Sequence, residues 1–448
     1  MWVENQFFAL PDDVWKFLLT EGYLILRDIC VFDSALTEHA RRPWFLQLLK
    51  ECLFLREKPL EPGRIFDLRL TSIYGPLPGF GAMIWLGKRG MHLATLFLPQ
   101  CLDDVSHAMS HAESCRVRFA LSRLIEGGLL DRLEIVDLNR ARFQLFLLRP
   151  ILLACASTVR RVDVRIEATE MSSILEENMT ETYQSIVQCL STCRKLDAFA
   201  SSGFESDRTM AAMTSGNPGL RVLVMRGLPP AIAEAIPISS ITLSNKLEHI
   251  VLQGYYGHEA EATTRLLLGS NKSLVYVDIS GLTTSDETVR TLCLANRGIT
   301  NLNLDKCLLL TNESMRIIAT CLPGLTSISM CSNNSITKAG IKMLIQGCHD
   351  IKCIGISHCI QLGNRTLFLI ANVCTELEFI DISGCFDVRY EGLARLAEKC
   401  GKLKKVSFSS VSRLWGGMLQ SPEVHFPRIM WDIWGHKRPP HPLSLLGG

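Results

Sequence analysis

The chain has 448 residues, 47% of them hydrophobic, and a formal net charge of +2. That balance gives no electrostatic reason to expect a nucleic-acid or anionic-membrane partner. The 17 cysteines, and an N-terminus lacking the basic-then-apolar order of a signal peptide, argue against a disulfide framework and for a reducing compartment, the cytoplasm or the nucleus.

In chain order, Leu10-Pro11-Asp12-Asp13-Val14 reads as a helix start, with proline in the first turn and acids at the positive end of the helix dipole. Val14, Phe17 and Leu18 give it a short apolar face. Leu24 to Cys30 leads into a second helix with Ile29, Phe32 and Leu36 on one side. Pro43-Trp44 ends that helix, and Phe45, Leu48, Leu49 and Cys52 supply a third. Such a short segment buries little alone and needs a partner or the end of a larger domain. Residues 51–64, with Pro59 and Pro62, read as a linker. The longest apolar stretch, Phe143 to Ala156, is interrupted by Arg149-Pro150 and is too short to span a bilayer.

Between residues 65 and 408 the chain repeats. Leu377-Glu-Phe-Ile380-Asp-Ile382 spaces apolar residues as LxxLxL, with Ile380 and Ile382 two apart, as a strand buried on one side requires. Leu393, Leu396, Ala397 and Cys400 then fall at i, i+3, i+4 and i+7, one face of a helix. The strand pattern starts at Leu274, Ile299, Leu325, Ile351, Leu377 and Leu403, in steps of 25, 26, 26, 26 and 26 residues. Upstream it loosens, through Leu247, Leu220, Leu196, Val159, Leu130, Leu93 and, weakly, Ile65. Cys321, Cys348, Cys374 and Cys400 close successive helices and are expected to be buried free thiols. Cys307, Cys359 and Cys385 recur eight residues after their strand starts. A strand, a turn and a helix in 26 residues cannot bury an apolar face alone, so the units must stack. Helices between strands require parallel pairing and, by the usual handedness, a right-handed solenoid. After Phe408 the repeat ends; residues 409–448 read as a cap followed by a loose tail.

Strands stack at about 4.8 Å while helices need about 10 Å, so the array curves with its strands inside. Roughly thirteen repeats give an inner face about 60 Å long. Residues two, four and six after each start then face inward: Arg161, Asp163, Arg165 and Arg226 in the first half. In the second half they are Tyr276, Asp278, Asn301, Asn303, Asp305, Phe379 and Asp381. Of these, Arg161, Arg165, Arg226, Tyr276, Asp278, Asp305, Phe379 and Asp381 are the candidate target-binding residues, basic at one end and acidic with aromatic anchors at the other.

Chemistry was sought and not found. His107 and His111, with Asp103 and Cys115, have helical spacing, but Ala108 stands where a zinc helix of the HExxH type needs glutamate. Gly79-Phe-Gly81 lacks the third glycine of a dinucleotide fingerprint, and there is no phosphate-binding GxxxxGK loop and no GxSxG elbow. The expectation is a non-enzyme without cofactor or metal. Sequons at Asn178, Asn271, Asn312, Asn333 and Asn364 carry little weight in a reducing compartment.

The repeat resembles the cysteine-containing leucine-rich repeats attached to F-box substrate receptors of ubiquitin ligases, an α/β solenoid or horseshoe. Residues 1–50 resemble the F-box itself, in the LPxxV opening at Leu10 and the LxxRDI-type element ending at Ile29, although no Cys-x-x-Trp follows the second helix. The resemblance implies that Leu10, Pro11, Val14, Leu24, Leu26 and Ile29 dock on a Skp-type adaptor of a cullin–RING ligase. The concave face would then hold a target protein, bringing it close to a charged ubiquitin-conjugating enzyme. The alternative is a leucine-rich-repeat scaffold or inhibitor without a ubiquitin role, its N-terminal helices serving as the cap that any solenoid needs.

Overall fold

The structure is a computed structural model. It describes residues 11–20, 33, 35–36, 40–51, 95–97, 122–123, 125–128, 130–138, 145–165, 188–202, 217–226, 246–253, 260–409 and 426–432. The chain divides near residue 202 into two compact units.

The first unit contains helices α1 (Asp12–Thr20), α2 (Arg42–Glu51) and α3 (Leu145–Cys155). Its strands are β1 (Thr95–Phe97), β2 (Ile135–Leu138), β3 (Arg161–Arg165) and β4 (Ala198–Ser202). The strands pair in that order, all parallel. Among the described side chains of α1 the most enclosed is Trp15; of the expected face only Val14 can be placed, because the side chains of Phe17 and Leu18 lie outside the described residues. Trp15 is fully buried with Phe45 and Leu48, whereas Val14 is half-buried. Trp44 meets Trp15 edge to face at 6.0 Å and donates its indole N–H to Asp12 at 3.0 Å. Pro43 opens α2 instead of ending a helix, which suits a residue whose missing N–H would have no partner in the first turn. The long apolar stretch is helical through Pro150 and buries Leu148, Ile151, Leu152 and Cys155. Strand β2 corrects one start: it follows Leu133, not Leu130, by two residues. Leu130 is also buried, but it holds the preceding helix-end position and accepts the Leu133 N–H at 3.3 Å, as Leu322 does for Leu325 at 3.1 Å.

The second unit contains β5 (Val222–Arg226), β6 (His249–Gln253), β7 (Tyr276–Asp278), β8 (Asn301–Asn303) and β9 (Ser327–Ser329). It continues with β10 (Cys353–Gly355), β11 (Phe379–Asp381), β12 (Lys405–Ser407) and β13 (Met430–Asp432). All are parallel and adjacent in sequence order. Helices α4 (Ala260–Ser270), α5 (Asp286–Ala295), α6 (Asn312–Cys321), α7 (Lys338–Gly347), α8 (Asn364–Val373) and α9 (Tyr390–Lys399) connect β6 through β12. This alternation is what a leucine-rich-repeat solenoid requires, and every strand from β5 to β12 begins two residues after its predicted start.

Register explains the core. Val277, Leu302, Ile328, Ile354, Ile380 and Val406 are mutual partners across β7 to β12, and each is at most 2% exposed. Ile279, Leu304, Met330, Ile356 and Ile382 make a second buried column. The helices answer with one face each; α9 buries Gly392, Leu393, Leu396 and Ala397. Each buried leucine contributes about 1.5–3 kcal/mol.

Within the second unit three hydrogen-bond ladders tie each repeat to the next. In the turn after each strand, Gly281, Lys306, Ser332, His358 and Gly384 take left-handed backbone with φ between 56° and 76°. Their N–H groups donate to the next turn at 2.7–2.8 Å, for example Lys306 to the Cys331 carbonyl. At the helix ends, Asn296 donates to the Leu268 carbonyl at 2.9 Å and Cys348 to the Leu322 carbonyl at 3.2 Å. Cys321 departs from expectation here. It lies one residue ahead of this inward position, which Leu322 holds, and is only half-buried. At the helix starts, Asp286 accepts the Thr311 N–H at 3.0 Å, Asn312 that of Thr337 at 2.9 Å and Asn364 that of Arg389 at 2.7 Å. This third ladder skips one step, because Lys338 has no acceptor to offer Gly363.

The ladder extends beyond the sequence repeat. Strand β13 pairs with β12, and Trp431 packs edge to face on Phe408 at 5.9 Å. Among the described residues no helix is long and apolar enough to cross a membrane.

Candidate functional site

The candidate site is the sheet face turned away from the helices, where alternation sends the residues two, four and six after each start. The structure puts the predicted residues on this face but covers many of them. Tyr276, Asp278, Asp305 and Phe379 are 3%, 0%, 4% and 7% exposed. The side chains lie along the sheet against their neighbours instead of standing into solvent. The ring of His249 stacks on Tyr276 with centroids 6.0 Å apart, and the Lys405 ammonium sits 5.7 Å over the Phe379 ring. Neither aromatic is a free anchor.

The acids are held in the same way. Asp278 accepts from Gln253 Nε2 at 2.7 Å, from Asn303 Nδ2 at 3.0 Å and from the Ser280 N–H at 2.9 Å. Burial pushes its carboxyl above the usual range, while the hydrogen bonds from Ser280, Gln253 and Asn303 oppose the shift. Asp305 accepts from Ser329 Oγ at 2.5 Å and from the Cys331 N–H at 2.7 Å. Asn303 in turn accepts the Asp305 N–H at 3.0 Å. The result is a polar network running from Gln253 on β6 to Cys331 after β9. A carboxylate so enclosed shapes the face more than it projects a field.

The expected electrical division is correspondingly weak. In the first unit Arg161 lies 4.0 Å from Asp163, which is itself buried. Arg165 is at the end of β3, and its side chain lies outside the described residues. Arg226 is exposed at the end of β5. Asp381 is half-buried and accepts the Ser383 N–H at 2.9 Å. The groups that do reach solvent on β6 to β12 are polar and mostly small: His249, Gln253, Asn301, Ser327, Ser329, Cys353, Asp381 and Lys405. The sequence reading missed His249, Gln253, Ser327, Ser329, Cys353 and Lys405, although the same two-residue alternation assigns all of them. Burial pushes the Cys353 thiol up, and the Cys331 thiol well up, so neither is an activated nucleophile.

For the adaptor-binding set, Pro11 is exposed and its carbonyl accepts the Val14 and Trp15 N–H groups at 3.1 and 3.2 Å, starting α1. Leu10, Leu24, Leu26 and Ile29 lie outside the described residues, as do His107, His111, Asp103 and Cys115. Asn271 and Asn333 of the sequons are buried, and their side-chain amides donate to backbone carbonyls.

No family model matches the chain, and no curated protein sequence matches it. Among solved structures it is similar to a chain in the crystal structure of the Rad7 and Elc1 complex in yeast, with 13% identity and a TM-score of 0.46. That match covers 79% of this chain and 92% of the other.

Proposed function

We propose that this chain is a non-catalytic protein-recognition subunit. On this reading the sheet face away from the helices holds a target protein, and the N-terminal helices attach the solenoid to a Skp-type adaptor of a cullin–RING ubiquitin ligase. The observation that carries the recognition half is the unbroken register of β6 to β12, which displays Asn301, Ser327, Cys353, Asp381 and Lys405 as fixed neighbours on one wall. A rigid, polar, pre-ordered wall loses little entropy on binding. The adaptor half is supported by the Leu10-Pro11-Asp12-Asp13-Val14 sequence and by the exposure of Pro11 beside half-buried Val14. The compartment proposed is the cytoplasm or nucleus, as the free thiols suggest.

The test uses the full chain. Co-expression with a Skp-type adaptor should give a co-purifying complex that Pro11→Asp with Val14→Asp abolishes, with the far-UV circular dichroism of the solenoid unchanged. No binding by wild type at micromolar concentrations would reject the receptor reading. The scaffold reading would then stand.

A further inference from the structure

The turns that follow the strands carry a row of apolar side chains that the fold does not use. Leu308, Ile360 and Phe386 each stand nine residues after their start, one per turn, and are 65%, 55% and 53% exposed. Leu309 beside them is 54% exposed. Asn334 holds the equivalent place in the turn between Leu308 and Ile360. Equivalent positions in other proteins' turns are ordinarily polar, since loops run through water. Here four such side chains share one edge of the second unit, with Asn334 as the polar break between Leu308 and Ile360.

The chemistry of the surroundings says what covers it. Lys306, Lys338, Arg365 and Arg389 are exposed on the same edge, in the turns and the first helical residues, and outnumber the exposed acids Glu287, Asp387 and Glu391. Other acids there are already engaged: Asp286 accepts from Thr311 and Ser314, and Glu313 is paired with Arg290 and Arg316. The edge is therefore apolar with a cationic border, complementary to an acidic, apolar partner.

Spacing decides the partner's conformation. Backbone hydrogen bonds continue from turn to turn at 2.7–2.8 Å, so the strand repeat of about 4.8 Å holds along this edge. Leu308 and Ile360 are two repeats apart, about 10 Å, and Phe386 is one further, about 14 Å from Leu308. In a helix, residues i, i+7 and i+11 lie on one face at about 10.5 and 16.5 Å. In an extended strand same-face residues recur every 6–7 Å, which puts none at 10 Å. The geometry points to a second docking surface, separate from the sheet face, that takes an acidic amphipathic helix of a partner protein with apolar residues at i, i+7 and i+11.

The probe is a fluorescein-labelled helical peptide of that pattern, with glutamate on its outer positions. Its controls are a scrambled peptide of identical composition and a version with lysine for glutamate. Fluorescence anisotropy with the full chain should give saturable binding, at least tenfold weaker for both controls. Leu308→Ser with Ile360→Ser and Phe386→Ser, all at solvent-exposed sites, should weaken it at least tenfold. Arg365→Glu with Arg389→Glu should weaken it severalfold at low salt and less at high salt. Equal binding of the scrambled peptide, or of the triple variant, overturns the proposal. So does wild-type dimerisation in sedimentation that the triple variant loses, which would assign the row to a second copy of the chain.

Discussion

The thiol of Cys385 donates to the carbonyl of Ile356, one repeat earlier, at 3.1 Å. Cys359 does the same to Met330 at 3.3 Å and Cys307 to Ile279 at 3.2 Å. In the repeat between them Asn333 stands at this position and donates to Leu304 at 2.7 Å. The requirement is therefore a compact buried donor, not sulfur chemistry. Cys385→Asn should be tolerated, whereas Cys385→Val, of similar size but without a donor, should cost about 1–3 kcal/mol by orphaning a buried carbonyl. Urea midpoints of the two variants check this. Equal destabilisation by both would remove the hydrogen bond from the account.

The helix-end cysteines should separate by one residue of register. Maleimide at pH 8 should label half-buried Cys321 in the native chain while Cys348, Cys374 and Cys400 wait for unfolding. Burial pushes the last three up to about 11, 12 and 11 from the ordinary 9. Folded values above unfolded ones give a defined sign. Their contribution is fully present below pH 9 and is lost as pH rises from 9 toward 11–12. The slope is at most about 1.4 kcal/mol per pH unit for each thiol. A flat urea midpoint between pH 8.5 and 10.5 would contradict it.

Asp278 should behave as a structural residue. Replacement by alanine leaves Gln253, Asn303 and the Ser280 N–H without their acceptor, at a cost of about 2–5 kcal/mol. Because burial raises its carboxyl, the ionised form is the costly one, and its share of the folding free energy becomes less favourable as pH rises. Thermal denaturation of Asp278→Ala beside Asp381→Ala, whose carboxyl is half-buried, should show the first as much the less stable. The reverse order would return Asp278 to the list of recognition residues.

The left-handed turns predict stabilisation by glycine. Lys306, Ser332 and His358 adopt φ values of 57°, 62° and 56°, where a Cβ costs roughly 1–2 kcal/mol. Lys306→Gly should therefore raise the urea midpoint or leave it unchanged, against the usual loss for a glycine substitution. At Gly384 the opposite holds: φ is 69°, and an added Cβ would run into the His358 ring, so Gly384→Ala should destabilise. Opposite signs at these two equivalent positions are the readout.

The repeat from Leu274 onward was legible because each start must fill the same core column, so its period survives in the residues. Leu130 misled because two leucines three apart are both buried, and only the turn at Gly128 distinguishes helix end from strand start. Strand β13 was illegible for a related reason. Arg428 stands where other repeats begin with an apolar residue, and it donates to the Gly401 and Ala397 carbonyls instead of filling the core. For the site, alternation reported direction but not cover. Tyr276 and Asp278 point to the predicted side, yet His249, Gln253 and Asn303 close over them, a lateral relationship that no single repeat encodes.

The missing helix-start bond at Lys338 gives the second unit a mechanical grain. Load along the stack passes from α5 to α6, from α6 to α7 and from α8 to α9 through both a helix-start bond and the sheet. Between α7 and α8 the sheet carries it without that bond, through β9, β10 and β11. The turn-to-turn bond from Ser332 to the Ser357 carbonyl and the bond from Gln361 Nε2 to the Asn334 carbonyl still tie this step, so only its helix starts have one tie fewer than their neighbours. A load that separates neighbouring helices therefore meets one fewer bond between α7 and α8 than between α6 and α7.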